Sequence, residues 1–216
     1  MEIMHIEGRY RGKISTEGIE IHSLGKRVAL FTTVQFMDII SQVKGYLEKN
    51  GKIVELPKTN ATYNGQVLGC TIDKIEGYDC ILYIGDGKFH PIALALENEV
   101  PVFTYNPFTN HFTRIGDNDI QNMQRKKKAG IAKFHASKKI GLLVSTKPGQ
   151  YNEVKEKLNK KYPDKKFYTL LFDTIDPAML ENFNFIDCYV NTACPRISFD
   201  DYSKFAKKIV EYRYLL

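Results

Sequence analysis

The chain has 216 residues, of which 43% are hydrophobic and 26% charged, which is typical of a globular protein whose core needs no disulfides. Roughly eighteen consecutive apolar residues would be needed to span a membrane, and no such run occurs. Charged residues fill the start of the chain, so we do not expect a secretory signal peptide. The net charge is +6, and the excess basic residues are expected on solvated faces of helices. The alternative is a basic surface that binds an acidic partner. We expect a cytoplasmic protein of one large or two small domains.

Residues 1–25 carry three glycines and no strong periodicity, which indicates an irregular arm or a small hairpin. After them, short β-branched or aromatic runs alternate with amphipathic segments, as in α/β units with parallel sheets. The first half therefore has predicted strands at 27–34, 52–56, 80–84 and 101–105, and predicted helices at 38–49 and 118–137.

The second half repeats this plan. Its predicted strands are 139–146, 166–172 and 186–192, and its predicted helices are 151–161, 177–182 and 201–212, the last capped by Asp200 or Asp201. Asp79-Cys80 and Asp187-Cys188 enter corresponding strands of the two halves, which favours an internal duplication. We predict an α/β fold of two duplicated three-layer domains, each with a short, mostly parallel sheet flanked by helices. The predicted division is an arm at 1–25 and domains at 26–137 and 138–216.

Ligands of open α/β sheets bind beyond the carboxyl ends of the strands, so the loops at these ends are candidate sites. They are 32–36, 64–70, 85–91, 145–150 and 191–196. Gly85 and Gly87 flank Asp86 directly after a strand, which indicates either close approach of a ligand or an ordinary strand-to-helix turn. The segment STKPGQ precedes a predicted helix, whose free amides and Lys147 suit a small anionic group.

The four cysteines differ in their predicted roles. Cys80 and Cys188 lie at strand starts, which favours a structural role. Cys194 leaves the end of a strand before Pro195 and Arg196, which favours a functional role. Cys70 follows a glycine-containing turn, where a core cysteine and a ligand are equally compatible with the sequence. If Cys70 and Cys194 converged at one sheet edge, their thiolates would suit a soft metal or an iron–sulfur cluster.

Five segments carry a resemblance to a known family. TTVQF (32–36), GQVLGC (65–70), GDGKFHP (85–91), STKPGQ (145–150) and NTACPRISFDD (191–201), in this order, resemble the diphthamide-biosynthesis iron–sulfur enzymes, especially their archaeal homodimeric form. The resemblance runs from about residue 26 to residue 201. It implies related α/β domains that each contribute one cysteine to a [4Fe–4S] cluster, with one iron left open for S-adenosylmethionine. It also implies transfer of the 3-amino-3-carboxypropyl group to a histidine of translation elongation factor 2.

By this resemblance, Cys70 and Cys194 are two of the cluster ligands. The amino-acid end of S-adenosylmethionine is then expected near Arg196 and three residues of STKPGQ, namely Thr146, Lys147 and Gln150. Gly85, Asp86, Gly87 and His90 are further candidates for the cofactor cavity, with stabilisation of the turn as the alternative for Asp86 and His90. The C-x-x-x-C-x-x-C motif of other radical enzymes is absent.

Two departures from the family pattern matter. Phe36 stands where archaeal members typically have histidine, and the first family domain with its cysteine is missing. We therefore expect a heteromeric split enzyme in which a separate chain supplies the third cysteine, although a fragment of a longer protein would look the same. The alternatives are a non-catalytic subunit of the same complex and an unrelated basic α/β domain that binds nucleic acid. The latter lacks sequence support, because no stacking motif or recognition helix is evident.

Overall fold

The structure is a computed structural model that describes residues 4, 6–69, 72, 74–148, 150–199 and 201–216. The chain divides into two compact units, Met1–Ile120 and Gln121–Leu216. Within the described residues, no helix combines the length and the apolar character needed to cross a bilayer. The boundaries predicted from sequence, between residues 25 and 26 and between residues 137 and 138, stay a prediction.

The first unit is built on a sheet of five strands. Its elements are β1 (Arg27–Thr32), α1 (Ile40–Lys49), β2 (Ile53–Glu55), β3 (Cys80–Ile84), α2 (Phe89–Glu97), β4 (Val102–Asn106) and β5 (His111–Arg114). The strand order is β2-β1-β3-β4-β5, and every neighbouring pair is parallel except β4 and β5. A long helix, α3 (Asp117–Ala136), begins in this unit and continues in the second.

Alternation along β1 builds a core on each face of this sheet. Val28 and Leu30 pack on one face with Val43 of α1, whereas Phe31 packs on the other face with Leu94 of α2. Successive side chains of a strand point to opposite faces, so a strand covered by helices on both sides must be apolar throughout. This is why all five residues of β3 are buried.

The second unit repeats the arrangement with four strands. After α3 come β6 (Lys139–Ser145), α4 (Lys155–Lys161), β7 (Lys166–Phe172), a 3-10 segment (Pro177–Asn182), β8 (Cys188–Asn191), a one-turn helix α5 (Arg196–Phe199) and β9 (Ile209–Glu211). The order is β7-β6-β8-β9 and all pairs are parallel. Leu142 of β6 packs with Leu158 of α4 in the core on one face of the sheet. Leu143 of β6 packs with Leu180 of the 3-10 segment in the core on the other face. The predicted α/β class with two mostly parallel sheets is thereby confirmed.

The two Asp-Cys pairs play matching parts. The carboxylate of Asp79 accepts the backbone N–H of Arg27 at 2.8 Å, and that of Asp187 accepts the N–H groups of Lys138 and Lys139 at 3.1 and 2.8 Å. Each aspartate thus satisfies backbone donors where the neighbouring central strand begins. The same chemistry at equivalent points supports the duplication inferred from sequence.

The predicted helix at 201–212 is wrong. Only Tyr202–Lys204 forms a 3-10 turn there, without a side-chain cap from Asp201, and Ile209–Glu211 forms β9 instead. Asp200 lies outside the described residues. Ile209 and Val210 belong to cores on opposite faces of the sheet, which is the alternation of a strand. Pairing with β8 therefore overrides a pattern that suggested a helix from its local sequence.

The predicted helix at 151–161 begins only at Lys155, because the chain before it is held elsewhere. The side-chain amide of Asn152 donates to the backbone oxygen of Thr192 at 2.7 Å. The helix α2 and the strand β5 were absent from the sequence prediction, and both are clearly formed.

Asp187→Ala should lower the free energy of unfolding by about 1–2 kcal/mol, because two backbone N–H groups lose their acceptor. These hydrogen bonds, above all that from Lys139, lower the pKa of Asp187. The stabilisation is therefore present above the ordinary aspartate pKa and is lost as the pH falls through the lowered one. Urea unfolding at neutral pH and in acid measures the effect. The difference between wild type and variant should shrink in acid, and Asp187→Asn, which keeps an acceptor oxygen, should be milder. A constant difference at all pH values would contradict this account.

Candidate functional site

The C-terminal edge of the second sheet gathers two of the predicted loops. The loop after β6 and the loop after β8 are joined by the hydrogen bond from Asn152 to Thr192. Thr192 also donates through its hydroxyl and its N–H to the oxygen of Leu143 in β6, at 3.0 and 3.1 Å. These bonds hold the chain that leaves β8 against its neighbour, which fixes where Cys194 emerges.

Cys194 lies in a tight turn whose backbone is held by Asn191. The side-chain Nδ2 of Asn191 donates to the backbone oxygen of Cys194 at 2.9 Å, and its side-chain Oδ1 accepts the backbone N–H of Ala193 at 3.1 Å. The Cys194 oxygen also accepts the N–H of Ile197 at 3.1 Å. The cysteine side chain is partly exposed, so its sulfur remains accessible while its backbone is fixed.

A buried carboxylate stands behind this turn. Glu211 of β9 has 3% relative exposure, and its Oε1 accepts the amide nitrogen of Asn191 at 2.6 Å. Burial raises the pKa of Glu211 to about 7, although Ser198, Asn191 and Arg213 act in the opposite direction. The sequence placed Asn191 in a candidate loop but gave no sign of Glu211 or of the contact between them, because nothing in the local pattern links two residues twenty positions apart.

The residues of STKPGQ lie at this edge, but two of their side chains turn toward the loop after β7. The hydroxyl of Thr146 lies 3.5 Å from a carboxylate oxygen of Asp173, and Lys147 Nζ lies 3.1 Å from the hydroxyl of Thr174. Because β7 and β8 flank β6 on opposite sides, this direction leads away from β8, the strand that Cys194 follows. The N–H of Gln150 donates to the oxygen of Lys147 at 3.0 Å, and residue 149 lies outside the described residues.

Arg196 is the predicted site residue nearest to Cys194 in sequence. It begins α5, two residues after the cysteine, and it is exposed. A guanidinium at this position can offer a planar pair of donors to a carboxylate.

The first unit gathers its own loops at the C-terminal edge of its sheet. Gln66 forms a parallel bridge with Thr32 at the end of β1, with the N–H of Thr32 bonded to Gly65 and that of Val67 to Thr32, both at 2.8 Å. A Cβ atom at Gly69 would lie 2.4 Å from the ring of Phe89, so this loop passes close to the start of α2. Cys70 lies outside the described residues, and its meeting with Cys194 stays a prediction.

The GDG turn lies at the same edge, where Asp86 stabilises the loop. One carboxylate oxygen accepts the N–H of Gly87 at 2.8 Å and the side-chain amide of Asn106 at 3.0 Å. Gly87 has a φ of 76°, a conformation that favours glycine. Gly85 precedes this turn at the end of β3, and its N–H donates to the oxygen of Tyr105 at 3.1 Å. These contacts favour the structural role for Asp86.

His90 of α2 packs beside Tyr83 of β3. Its Nδ1 lies 3.4 Å from the Tyr83 hydroxyl, and the two rings stack with centroids 5.9 Å apart. Burial raises the pKa of Tyr83, so its hydroxyl stays protonated and available as a donor to the imidazole.

Phe36, the departure from the family pattern, is buried in the core with an exposure of 1%. Its ring meets those of Tyr10 and Phe108 at centroid distances of 6.1 and 5.4 Å. Tyr10 belongs to the predicted arm at 1–25, as does Arg9, which forms ion pairs with Asp38 at 2.6 Å and with Glu7 at 2.7 Å. Residues of the predicted arm therefore dock on the loops of their own unit.

The described cysteines fall into two classes. Cys80 and Cys188 have exposures of 1% and 0%, and burial raises the pKa of both thiols, that of Cys188 to about 12. Their burial agrees with the structural role that the sequence favours for both. Cys194 is partly exposed and fits a thiolate ligand. Within the described residues, which exclude Cys70, no three His, Cys, Asp or Glu side chains group closely enough to hold a metal ion.

Comparison with known proteins gives one family. Residues 5–213 match the family model described as putative diphthamide synthesis protein. The 2-(3-amino-3-carboxypropyl)histidine synthase of Pyrococcus horikoshii is 35% identical over 88% of this chain and 56% of the relative. Subunit 1 of that synthase from Caenorhabditis elegans is 32% identical over 86% of this chain and 49% of the relative. The chain thus spans about half the length of these curated relatives.

The fold has solved counterparts as well. The crystal structure of Dph2 from Pyrococcus horikoshii with a 4Fe-4S cluster superposes with a TM-score of 0.78 at 30% identity. That superposition covers 91% of this chain and 58% of the other. A second crystal structure of the same protein gives a TM-score of 0.81 over 94% of this chain and 62% of the other.

In the isolated, folded chain, Cys194 should be alkylated at least about 100-fold faster than Cys188, because only a thiolate reacts and burial disfavours its formation. Peptide mass spectrometry after timed iodoacetamide treatment measures each rate. Full labelling in denaturant provides the control. Equal rates for the two cysteines under native conditions would refute the assignment of Cys188 as structural.

Proposed function

Because the chain belongs to the diphthamide synthesis family, we propose that it is the cluster-binding part of a 2-(3-amino-3-carboxypropyl)histidine synthase. In this proposal, Cys70 and Cys194 bind a [4Fe–4S] cluster, and a separate chain with the family's first domain supplies the third cysteine. The substrates are S-adenosylmethionine and one histidine of translation elongation factor 2. The product is the first intermediate of diphthamide biosynthesis.

The observation that carries the proposal is the position of Cys194. Its partly exposed thiol leaves a turn that Asn191 fixes at the carboxyl edge of a parallel sheet, where α/β proteins bind ligands. Soft thiolate sulfur is the donor that iron–sulfur clusters require. The Dph2 chain that superposes on this one holds such a cluster.

The chain's own residues have distinct parts in this reaction. When bound, the cluster supplies the electron that cleaves S-adenosylmethionine between its sulfur and the methionine γ-carbon. Arg196 binds the methionine carboxylate through its planar guanidinium. Thr146, Lys147 and Gln150 lie at the same edge of the second sheet. The side chains of Thr146 and Lys147 point to the loop after β7, and in this proposal Lys147 turns toward the bound cofactor to add a positive charge. Gly85, Asp86 and Gly87 form the turn at the corresponding edge of the first unit, where the glycines leave room for close approach of the cofactor.

Removal of one thiol tests the proposal directly. Anaerobic reconstitution of the chain with candidate partner chains, followed by iron analysis and assay of group transfer to elongation factor 2, should give an active assembly. Cys194→Ala should lose transfer activity by at least about 100-fold and fail to retain the cluster, because one of three protein ligands is gone. Cys188→Ala, which removes a buried thiol, is the matched control and should keep the iron.

The same experiment separates the enzyme from a scaffold. If Cys70→Ala and Cys194→Ala assemblies both transfer the group as fast as wild type, this chain is a non-catalytic subunit. Transfer that depends on Cys194 but needs no partner chain would instead overturn the proposal of a split enzyme.

Arg196→Lys should raise the KM for S-adenosylmethionine about tenfold, because an ammonium cannot form the paired hydrogen bonds of a guanidinium with a carboxylate. Steady-state kinetics of the reconstituted assembly measure this change. Arg125→Lys, an exposed substitution on α3, is the control and should leave the KM unaltered. An unchanged KM for Arg196→Lys would remove this residue from the cofactor site.

A further inference from the structure

Glu211 occupies a position in the second sheet where the first sheet has no charge. Asn191 of β8 pairs in register with Glu211 of β9, and the equivalent pair in the first sheet is Tyr83 with Thr104. The equivalence follows from the central strands, where Cys80 faces Val28 as Cys188 faces Ile140. Pairing of these strands therefore does not require a carboxylate, and Glu211 must be explained by its contacts.

The contact that Glu211 makes leads to Cys194 through one side chain. Glu211 Oε1 accepts Asn191 Nδ2 at 2.6 Å, and the same Nδ2 donates to the Cys194 oxygen at 2.9 Å. Asn191 Oδ1 accepts the N–H of Ala193 at 3.1 Å. One amide group thus spans the turn from residue 191 to residue 194, with its nitrogen and its oxygen both in use.

Glu211 favours one direction of that amide. Its Oε1 accepts the Asn191 nitrogen at 2.6 Å, and a carboxyl group keeps an accepting oxygen in both its ionised and its protonated form. If the amide flipped, its oxygen would face Glu211 and both the Ala193 and the Cys194 hydrogen bonds would be lost. Glu211 therefore adds a third hydrogen bond to the orientation of Asn191 that closes the turn.

Within the part of the chain that the structure describes, Glu211 forms no ion pair that competes with its hydrogen bond to Asn191. Among the described residues, no ion pair includes Glu211, and its Oε2 is one of three buried side-chain oxygens without a hydrogen-bond partner. The other two, Ser198 Oγ and Tyr202 OH, line the same small cavity of about 20 Å³. The hydrogen bond from the Asn191 amide is thus the one with a defined geometry at this carboxylate among the described residues, and Ser198 lies close enough to lower its pKa.

We propose that Glu211 is a positioning residue for Cys194, which acts through Asn191 to hold the 191–194 turn in the conformation that presents the thiol. This role rests on the proposed function in one respect, the identity of Cys194 as a cluster ligand. The positioning itself is a property of the metal-free chain.

The test measures the alkylation rate of Cys194 in the metal-free chain by peptide mass spectrometry. Glu211→Leu removes the acceptor and should raise this rate about fivefold, the factor expected for the loss of one hydrogen bond that restrains the turn. Glu211→Gln keeps an acceptor oxygen and the side-chain length, so its rate should stay within about twofold of wild type. The rate of buried Cys188 is the internal control for folding and should not change in either variant.

A second variant covers the case in which Glu211→Leu fails to fold, which a rise in Cys188 labelling would reveal. Glu211→Thr installs the residue type of Thr104, which the first sheet accommodates at the equivalent position. It should raise Cys194 labelling in the same direction as Glu211→Leu. Wild-type labelling of Cys194 in a folded Glu211→Leu or Glu211→Thr chain would overturn the proposal.

Iron retention in the reconstituted assembly separates this inference from the proposed function. Faster labelling of Cys194 in Glu211→Leu, together with loss of iron from the Glu211→Leu assembly but not from Glu211→Gln, supports both. Faster labelling with no dependence of iron on Cys194 supports the positioning role and overturns the cluster assignment. Unchanged labelling overturns the positioning role, whether or not Cys194 binds iron.

Discussion

Parallel pairing of the central strands is the constraint on which each unit depends. Because β1 and β3 run in the same direction, as do β6 and β8, each pair directs its following loops to one edge of its sheet. The opposite ends of the same strands are closed by Asp79 and Asp187, whose carboxylates take up backbone donors. Structural chemistry and candidate functional chemistry therefore lie at opposite ends of the same strands, and the two buried cysteines belong to the structural end.

Strands with long apolar runs bounded by polar turns were predictable. Cys80–Ile84, which is buried on both faces, and Lys166–Phe172, an edge strand in which Phe167 and Leu170 are buried, have the limits that the sequence indicated. The three-residue strand Ile209–Glu211 was not predictable, since it forms only through its pairing with β8 and its last residue is an acid. The start of α4 depends likewise on Asn152, whose partner Thr192 lies forty positions away along the chain.

The candidate site shows the same division between local and distant information. The proline and arginine beside Cys194 marked that loop in the sequence, and its thiol is the accessible one among the described cysteines. The support behind the loop was invisible, because Asn191 and Glu211 meet only in the folded sheet. Burial of an acid without an ion pair costs several kcal/mol, which a fold recovers only through well-placed hydrogen bonds. The first sheet has Thr104 at the position equivalent to Glu211, so the fold itself does not require an acid there. The buried acid therefore favours a specific role for Glu211 in holding the turn at Cys194.

The most direct measurement of the central claim is a cysteine footprint of the cluster-loaded assembly, taken anaerobically. If residues 70 and 194 both bind iron, both thiols should resist alkylation while the cluster is present, and both should react after a chelator removes the iron. Cys80 and Cys188 should stay unlabelled in either state, because they are buried. Rapid alkylation of Cys70 and Cys194 with the iron still bound would contradict the account.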